Sequence, residues 1–206
     1  MKKILCILLA AIAMPFVLNA QRTVEITPFG GYVFPGTMQA NGGDVRFIGN
    51  GQYGGTVGIA ISRSVDIDLI YNRSDTKAQV DIIGMKYEEV PISINYMHVG
   101  FTKNFRINKV VSPFVSYNLG ACLFYPKTND YYEVWFFSMG LDAGAKFYLS
   151  KHFGIRLQAQ ALMPIQGSGF SMFVGTGGAS GGVSVYSTLV QFGFTGGLIF
   201  RLGNVL

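Results

Sequence analysis

The sequence predicts an all-β fold, an eight-stranded antiparallel up-and-down barrel that crosses a membrane on its strands. Three observations carry this prediction. The first is the stretch Ser187–Leu202, where Val190, Phe192, Phe194, Leu198, Phe200 and Leu202 share one parity and Ser187, Gln191, Gly193, Thr195, Gly197 and Arg201 the other. A period of two marks a pleated strand, whose successive side chains face opposite sides. It outruns the ~5–6 residues of an ordinary strand, and hydrocarbon accounts for so long an oily flank. The second is composition: half of the 206 residues are hydrophobic and only 13% are charged, against roughly 25% in soluble domains. Past the leader, no apolar run approaches the ~18 residues of a membrane helix. A closed barrel is the other structure that pairs every backbone group in lipid. The third is a regular alternation of short and long connections.

The elements follow in order. Residues 1–20 read as a secretory signal peptide: Lys2 and Lys3, an apolar core Ile4–Ala13, then Asn19-Ala20 before Gln21. Cys6 lies within that core as a plain hydrophobe. Cleavage after Ala20 leaves residues 21–206 as one barrel domain with Cys122 alone, so no internal disulfide forms. The net charge of +5 includes Lys2 and Lys3 and is scattered, which argues against nucleic acid as a partner.

Turn signals divide the remainder into Thr23–Phe34, Gln52–Arg63, Val65–Asp75, Glu89–Phe105, Val111–Tyr125, Val134–Leu149, Phe153–Ile165 and Val183–Leu202. Arg63–Val65, Arg106–Val110 and Ser150–His152 are short connections. Pro35–Gly51, Thr76–Glu88, Pro126–Glu133 and Gln166–Gly182 are longer and polar or glycine-rich. Membrane barrels have short periplasmic turns and long external loops, so the N-terminus is expected in the periplasm. Aromatic residues gather at both strand ends, Tyr32, Phe34, Tyr53, Tyr71, Tyr125, Trp135 and Tyr186 near the long loops, Phe101, Phe114, Phe147, Phe153 and Phe200 near the short turns. Two such girdles match the two interfaces of a bilayer.

Two places resist the pattern. Pro28 falls mid-strand and cannot donate a ladder bond. In the fourth segment Ile92 and Ile94 share one parity and Met97, Val99 and Phe101 the other, for which a bulge near Tyr96-Met97 is the expected repair.

Thr195, Gly197, Phe200 and Leu202 carry a polar residue, a glycine two later, then two hydrophobes spaced by one. This resembles the C-terminal signal by which outer-membrane barrels are recognised for insertion, although the chain continues to Leu206 where that signal usually ends on an aromatic. With the export signal and eight strands, residues 21–206 resemble the small OmpA/OmpX-type outer-membrane barrel family. The resemblance implies an outer-membrane location, surrounding lipids and the barrel assembly machinery as partners, and a surface ligand met through external loops. It implies neither a second domain nor a catalytic signature.

An eight-stranded barrel is just wide enough for side chains to fill it. The inward columns hold Glu25, Asp66, Asp68, Asp142, Lys146, Arg156 and Arg201, joined by Lys103 if the bulge forms. Charges in such a place are paired or hydrated, and they read as a polar plug, with a narrow ion path as the alternative. His98 sits mid-strand and His152 in a short turn, neither beside a serine and an acid in sequence. The glycine-rich run Gly175–Gly182 lacks the strand-to-helix setting of a phosphate loop. No metal ligand set or cofactor motif stands out. The expected protein is a non-enzymatic outer-membrane barrel with a structural or surface-interaction role. Alternatives are an OmpW-like channel or transporter for small or hydrophobic solutes, a lipid-modifying enzyme, and a lipocalin-like carrier.

Overall fold

Because successive side chains alternate between two environments, each segment keeps one flank inward and one outward along its whole length. The computed structural model describes residues 23–203 except 41–42, 83–87, 106, 109, 129–132 and 176–177, and their side chains except at 38–44, 80–88 and 166–188. The export signal expected over 1–20 lies outside the described residues. The strands are β1 (Val24–Val33), β2 (Gly36–Ala40), β3 (Gly43–Phe47), β4 (Asn50–Ser62), β5 (Val65–Ile82), β6 (Glu88–Asn104), β7 (Val111–Pro126), β8 (Val134–Tyr148), β9 (Phe153–Gly175), β10 (Gly178–Thr188) and β11 (Gln191–Leu202). Eight of them form a closed antiparallel ring, β1-β4-β5-β6-β7-β8-β9-β11, in which β11 returns to β1 with Val24 opposite Leu202 and Val33 opposite Gly193.

The other three strands extend the wall at one end and correct the expected loops. Residues 35–51 contain the β2–β3 hairpin, with β3 laid against the upper part of β5. β5 runs on to Ile82 through residues expected as loop, and β9 continues to Gly175 beside β10. Polar alternation is the reason: Lys77 and Gln79 face outward where water replaces lipid, so no oily column marks these residues as strand. The expected eighth strand Val183–Leu202 is two strands, parted at Leu189-Val190, yet Thr188↔Ile165 and Gln191↔Leu162 keep one register.

The outer wall is apolar at mid-height and aromatic at its margins. Leu69, Val99, Leu141, Leu157 and Phe192 are exposed there. Tyr32, Phe34, Tyr53, Tyr71, Tyr125 and Trp135 ring the long-loop end, and Phe101 and Phe200 are exposed at the short-turn end. Tyr186 lies outside the residues whose side chains are described. Phe114 does not belong to this ring; it is 2% exposed, inside the barrel. Its parity on β7, shared with Ser112, Ser116 and Asn118, sets it there.

No bulge interrupts β6. Its ladder runs unshifted from Val65↔Lys103 to Val80↔Glu88 on one side and from Ile92↔Pro126 to Asn104↔Phe114 on the other. Ile92, Ile94, Tyr96, His98, Thr102 and Asn104 all face inward. The parity is constant, and it is the chemistry of the interior that changes with height. Lys103 accordingly faces out at the short-turn end and stays apart from the inward charges. Pro28 faces outward and pairs with Gly55 of β4; toward β11 the ladder skips Thr27 and Pro28 and resumes at Phe29↔Gly197.

Candidate functional site

The lumen is the candidate site, and it is built in storeys. In the storey nearest the short turns, β1, β5, β8, β9 and β11 bring Glu25, Asp66, Asp68, Asp142, Lys146, Arg156 and Arg201 together. The Lys146 ammonium, 1% exposed, donates to Glu25 Oε2 and to Asp66 Oδ2, both at 2.8 Å. Arg201 donates to Glu25 Oε1 through Nη2 at 2.7 Å and Nε at 3.1 Å, and the Tyr148 hydroxyl donates to the same oxygen at 3.0 Å. Arg156 reaches Asp68 Oδ2 through Nη1 at 3.4 Å and Gln158 Oε1 through Nε at 2.6 Å.

Neutral neighbours complete the network. Thr102 donates to Asp68 at 2.8 Å, Asn104 to Asp66 at 2.8 Å and Asn118 to Asp142 at 2.7 Å. Two rings take up the cations from the side: the Arg156 guanidinium carbon stands 4.4 Å from the Phe114 centroid and that of Arg201 3.7 Å from the Tyr148 centroid. Such contacts contribute about 2 kcal/mol where they are shielded from water. Space for the acids comes from small residues on facing strands. A Cβ on Gly58 would lie 2.5 Å from Asp68 Oδ1.

Above this lies a storey of amides. Asn72 and Gln160 both donate to Gln52 Oε1, at 2.8 and 2.9 Å, while Gln52 Nε2 donates to the carbonyls of Tyr32 and Phe194. Tyr96 donates to Gln191 Oε1 at 2.6 Å. His98 Nε2 bonds Ser138 Oγ at 2.5 Å, a pair distant in sequence and buried inside the barrel. His152 lies at the short-turn end, with Nδ1 3.3 Å from the Arg201 carbonyl oxygen.

The storey beneath the long loops is apolar. Phe47, Ala78, Ile92, Ile94, Cys122, Phe124, Leu162 and Leu189 pack as one cluster with Val45 and Phe136 against them. Phe124 takes Phe47 edge-on at 5.5 Å and Phe136 at 5.2 Å. Phe47 comes from β3 and Leu189 from the break before β11, so the added hairpin itself caps the lumen. Sequence reasoning missed this storey. The signal present was the inward parity of Ile92, Ile94 and Phe124, which agrees with His98 and Asn118 on the same strands.

The four residues of the C-terminal motif divide between the two faces. Thr195 and Gly197 point inward; a Cβ on Gly197 would meet the Pro28 carbonyl oxygen at 2.6 Å. Phe200 and Leu202 point outward, 44% and 56% exposed, with Phe200 edge-on to Phe153 at 5.8 Å.

No protein-family model matches the chain, and no curated protein matches it. Among solved structures it is similar to Neisserial surface protein A (NspA), with a TM-score of 0.57 and 8% identity over 88% of this chain and 97% of that one. It is also similar to the outer membrane protein OprG from Pseudomonas aeruginosa, with a TM-score of 0.56 and 11% identity over 89% and 97% of the two chains. At such identity the likeness speaks for architecture alone. That architecture is the transmembrane eight-stranded antiparallel β-barrel of small outer-membrane proteins.

Proposed function

We propose that residues 21–206, after removal of the leader 1–20, form a closed barrel of the outer membrane. In this reading its short turns and N-terminus lie in the periplasm and its long hairpins outside. The role is structural or interactive rather than catalytic, with the hairpins meeting other surfaces. Thr195, Gly197, Phe200 and Leu202 serve as the signal read by the barrel assembly machinery. Glu25, Asp66, Asp68, Asp142, Lys146, Arg156 and Arg201 serve as the polar part of the plug.

The observation that carries this reading is that, among the described residues, side chains occupy the lumen at three heights, by ion pairs below, amides at mid-height and the Phe47–Phe124 cluster above. An open transport route needs a continuous wet or oily passage, and each storey interrupts a different kind of solute. Planar-bilayer recording of the purified full chain tests it. No conductance above the bare bilayer is expected, and sustained unitary steps would overturn the closed-plug role.

A further inference from the structure

We infer that the rim at the short-turn end, where the β4–β5 turn meets the end of β6, holds the phosphate of a net-anionic phospholipid in the leaflet at that end. This rests on the membrane reading and adds a site to it. The acids of the chain are divided by height. Of its eleven Asp and Glu residues, Glu25, Asp66, Asp68 and Asp142 enter the lumen, and the other seven fall in or beside the long connections. The short-turn segments 63–64, 103–110 and 149–152, with residues 203–206, contain neither Asp nor Glu; they contain Arg63, Lys103, Arg106, Lys109 and Lys151. Arg63, Lys103 and Lys151 are exposed. Among the described residues none of these three enters an ion pair. The acids on the neighbouring strands point inward and are taken, Asp66 by Lys146 and Asn104, Glu25 by Lys146 and Arg201.

The fold gathers two of these cations. The Asn104 backbone N–H donates to the Ser64 carbonyl at 2.8 Å, and Lys103 stands opposite Val65. Arg63 and Lys103 therefore share one edge of the rim. Each comes two residues past an exposed apolar side chain, Ile61 and Phe101, and exposed Phe105 follows Lys103. A basic side chain so placed lays its stem along hydrocarbon and carries its charge to the headgroups. A phosphate takes charge-assisted bonds from an arginine and a lysine that hold no other anion. Free phosphate offers the same oxygens. Lipid is favoured because it covers Ile61, Phe101 and Phe105 while it meets the cations. Phosphatidylcholine brings its own cation, so the site selects for net negative charge. At the long-loop end Arg73, Lys77 and Lys127 are already paired with Asp75 and Glu89, which gives the preference a direction.

The test sets a single tryptophan beside the site, by Phe101→Trp in a Trp135→Phe background, and reconstitutes the full chain in phosphatidylcholine vesicles. Quenching by brominated phosphatidylglycerol is measured against quenching by brominated phosphatidylcholine. A preference for the phosphatidylglycerol is expected, falling about fivefold for each of Arg63→Gln and Lys103→Gln, the effect of one basic side chain beside an anionic surface. The unaltered chain, whose single tryptophan is Trp135 at the other end, should show no preference. Heat-dependent gel migration verifies that each variant is folded, and the preference before either Gln change is decisive without them. Equal quenching by both lipids at the short-turn end overturns the headgroup site while the membrane reading stands. A preference unmoved by both Gln changes, or as strong at Trp135, overturns its placement. Quenching by neither lipid overturns the membrane reading itself. Loss of the preference in millimolar inorganic phosphate, against chloride of equal ionic strength, overturns the assignment to lipid.

Discussion

Lys146 and Glu25 belong to β8 and β1, far apart in the chain, yet the ammonium donates to the carboxylate at 2.8 Å across the lumen. The same ammonium holds Asp66 on β5. One side chain thus ties three strands through the interior, in addition to the ladder that joins neighbours. Removing one member of a buried pair leaves an uncompensated charge and costs ~3–5 kcal/mol, whereas exchanging the whole set for apolar groups is often neutral. Lys146→Ala is therefore expected to lower the urea midpoint in detergent. The double change Lys146→Met, Asp66→Asn, which leaves Glu25 paired with Arg201, is expected to recover much of that loss.

Nitroxide labels at Leu141, Leu157 and Phe192, all outward and exposed at mid-height, should be relaxed by oxygen rather than by a water-soluble nickel chelate. A label at Leu149, 62% exposed at the short-turn end, should show the reverse. Electron paramagnetic resonance in liposomes reads both.

Gly120→Ala probes the close approach of β6 and β7. A Cβ there would collide with the Met97 carbonyl and the His98 Cα, which are backbone and cannot swing aside. Overpacking of this kind costs ~1–3 kcal/mol. Heat-dependent gel migration should shift to lower temperature, and amide exchange should quicken first in the β6–β7 ladder.

Phe47→Ala removes the aromatic lid from the apolar storey. A buried phenylalanine truncated to alanine costs ~3–5 kcal/mol. Conductance is nonetheless expected to stay at background, because the Lys146 and Arg156 ion pairs still close the lower storey. Bilayer recording of this variant separates the two storeys as barriers.

The ring of strands was legible because lipid demands oily residues at every second position, and Phe192, Leu157 and Leu141 obey. The charged storey was legible for the same reason: residues opposite an oily column have only the lumen to enter. What escaped lay where that contrast fails. Beyond the membrane the outward face of β5 is as polar as a loop, so Lys77 and Gln79 gave no strand signal. At the top of the lumen the inward face of β6 turns apolar while its outward face carries Glu89 and Ser93, so Ile92 and Ile94 looked like a slip in phase. Phe114 looked like a girdle residue because aromatic character marks interfaces, yet its task is to face Arg156 in the interior.

The pairing of Val24 with Leu202 also sets an order of events. During synthesis β1 emerges early with a bare edge and must wait for β11, the far end of the ring. Until then the cylinder is an open sheet whose exposed rim invites other chains. Closing the ring therefore depends on a pairing between the two ends of the fold. Grafting β11 ahead of β1 by circular permutation should shorten that dependence, since the two would meet as a local hairpin.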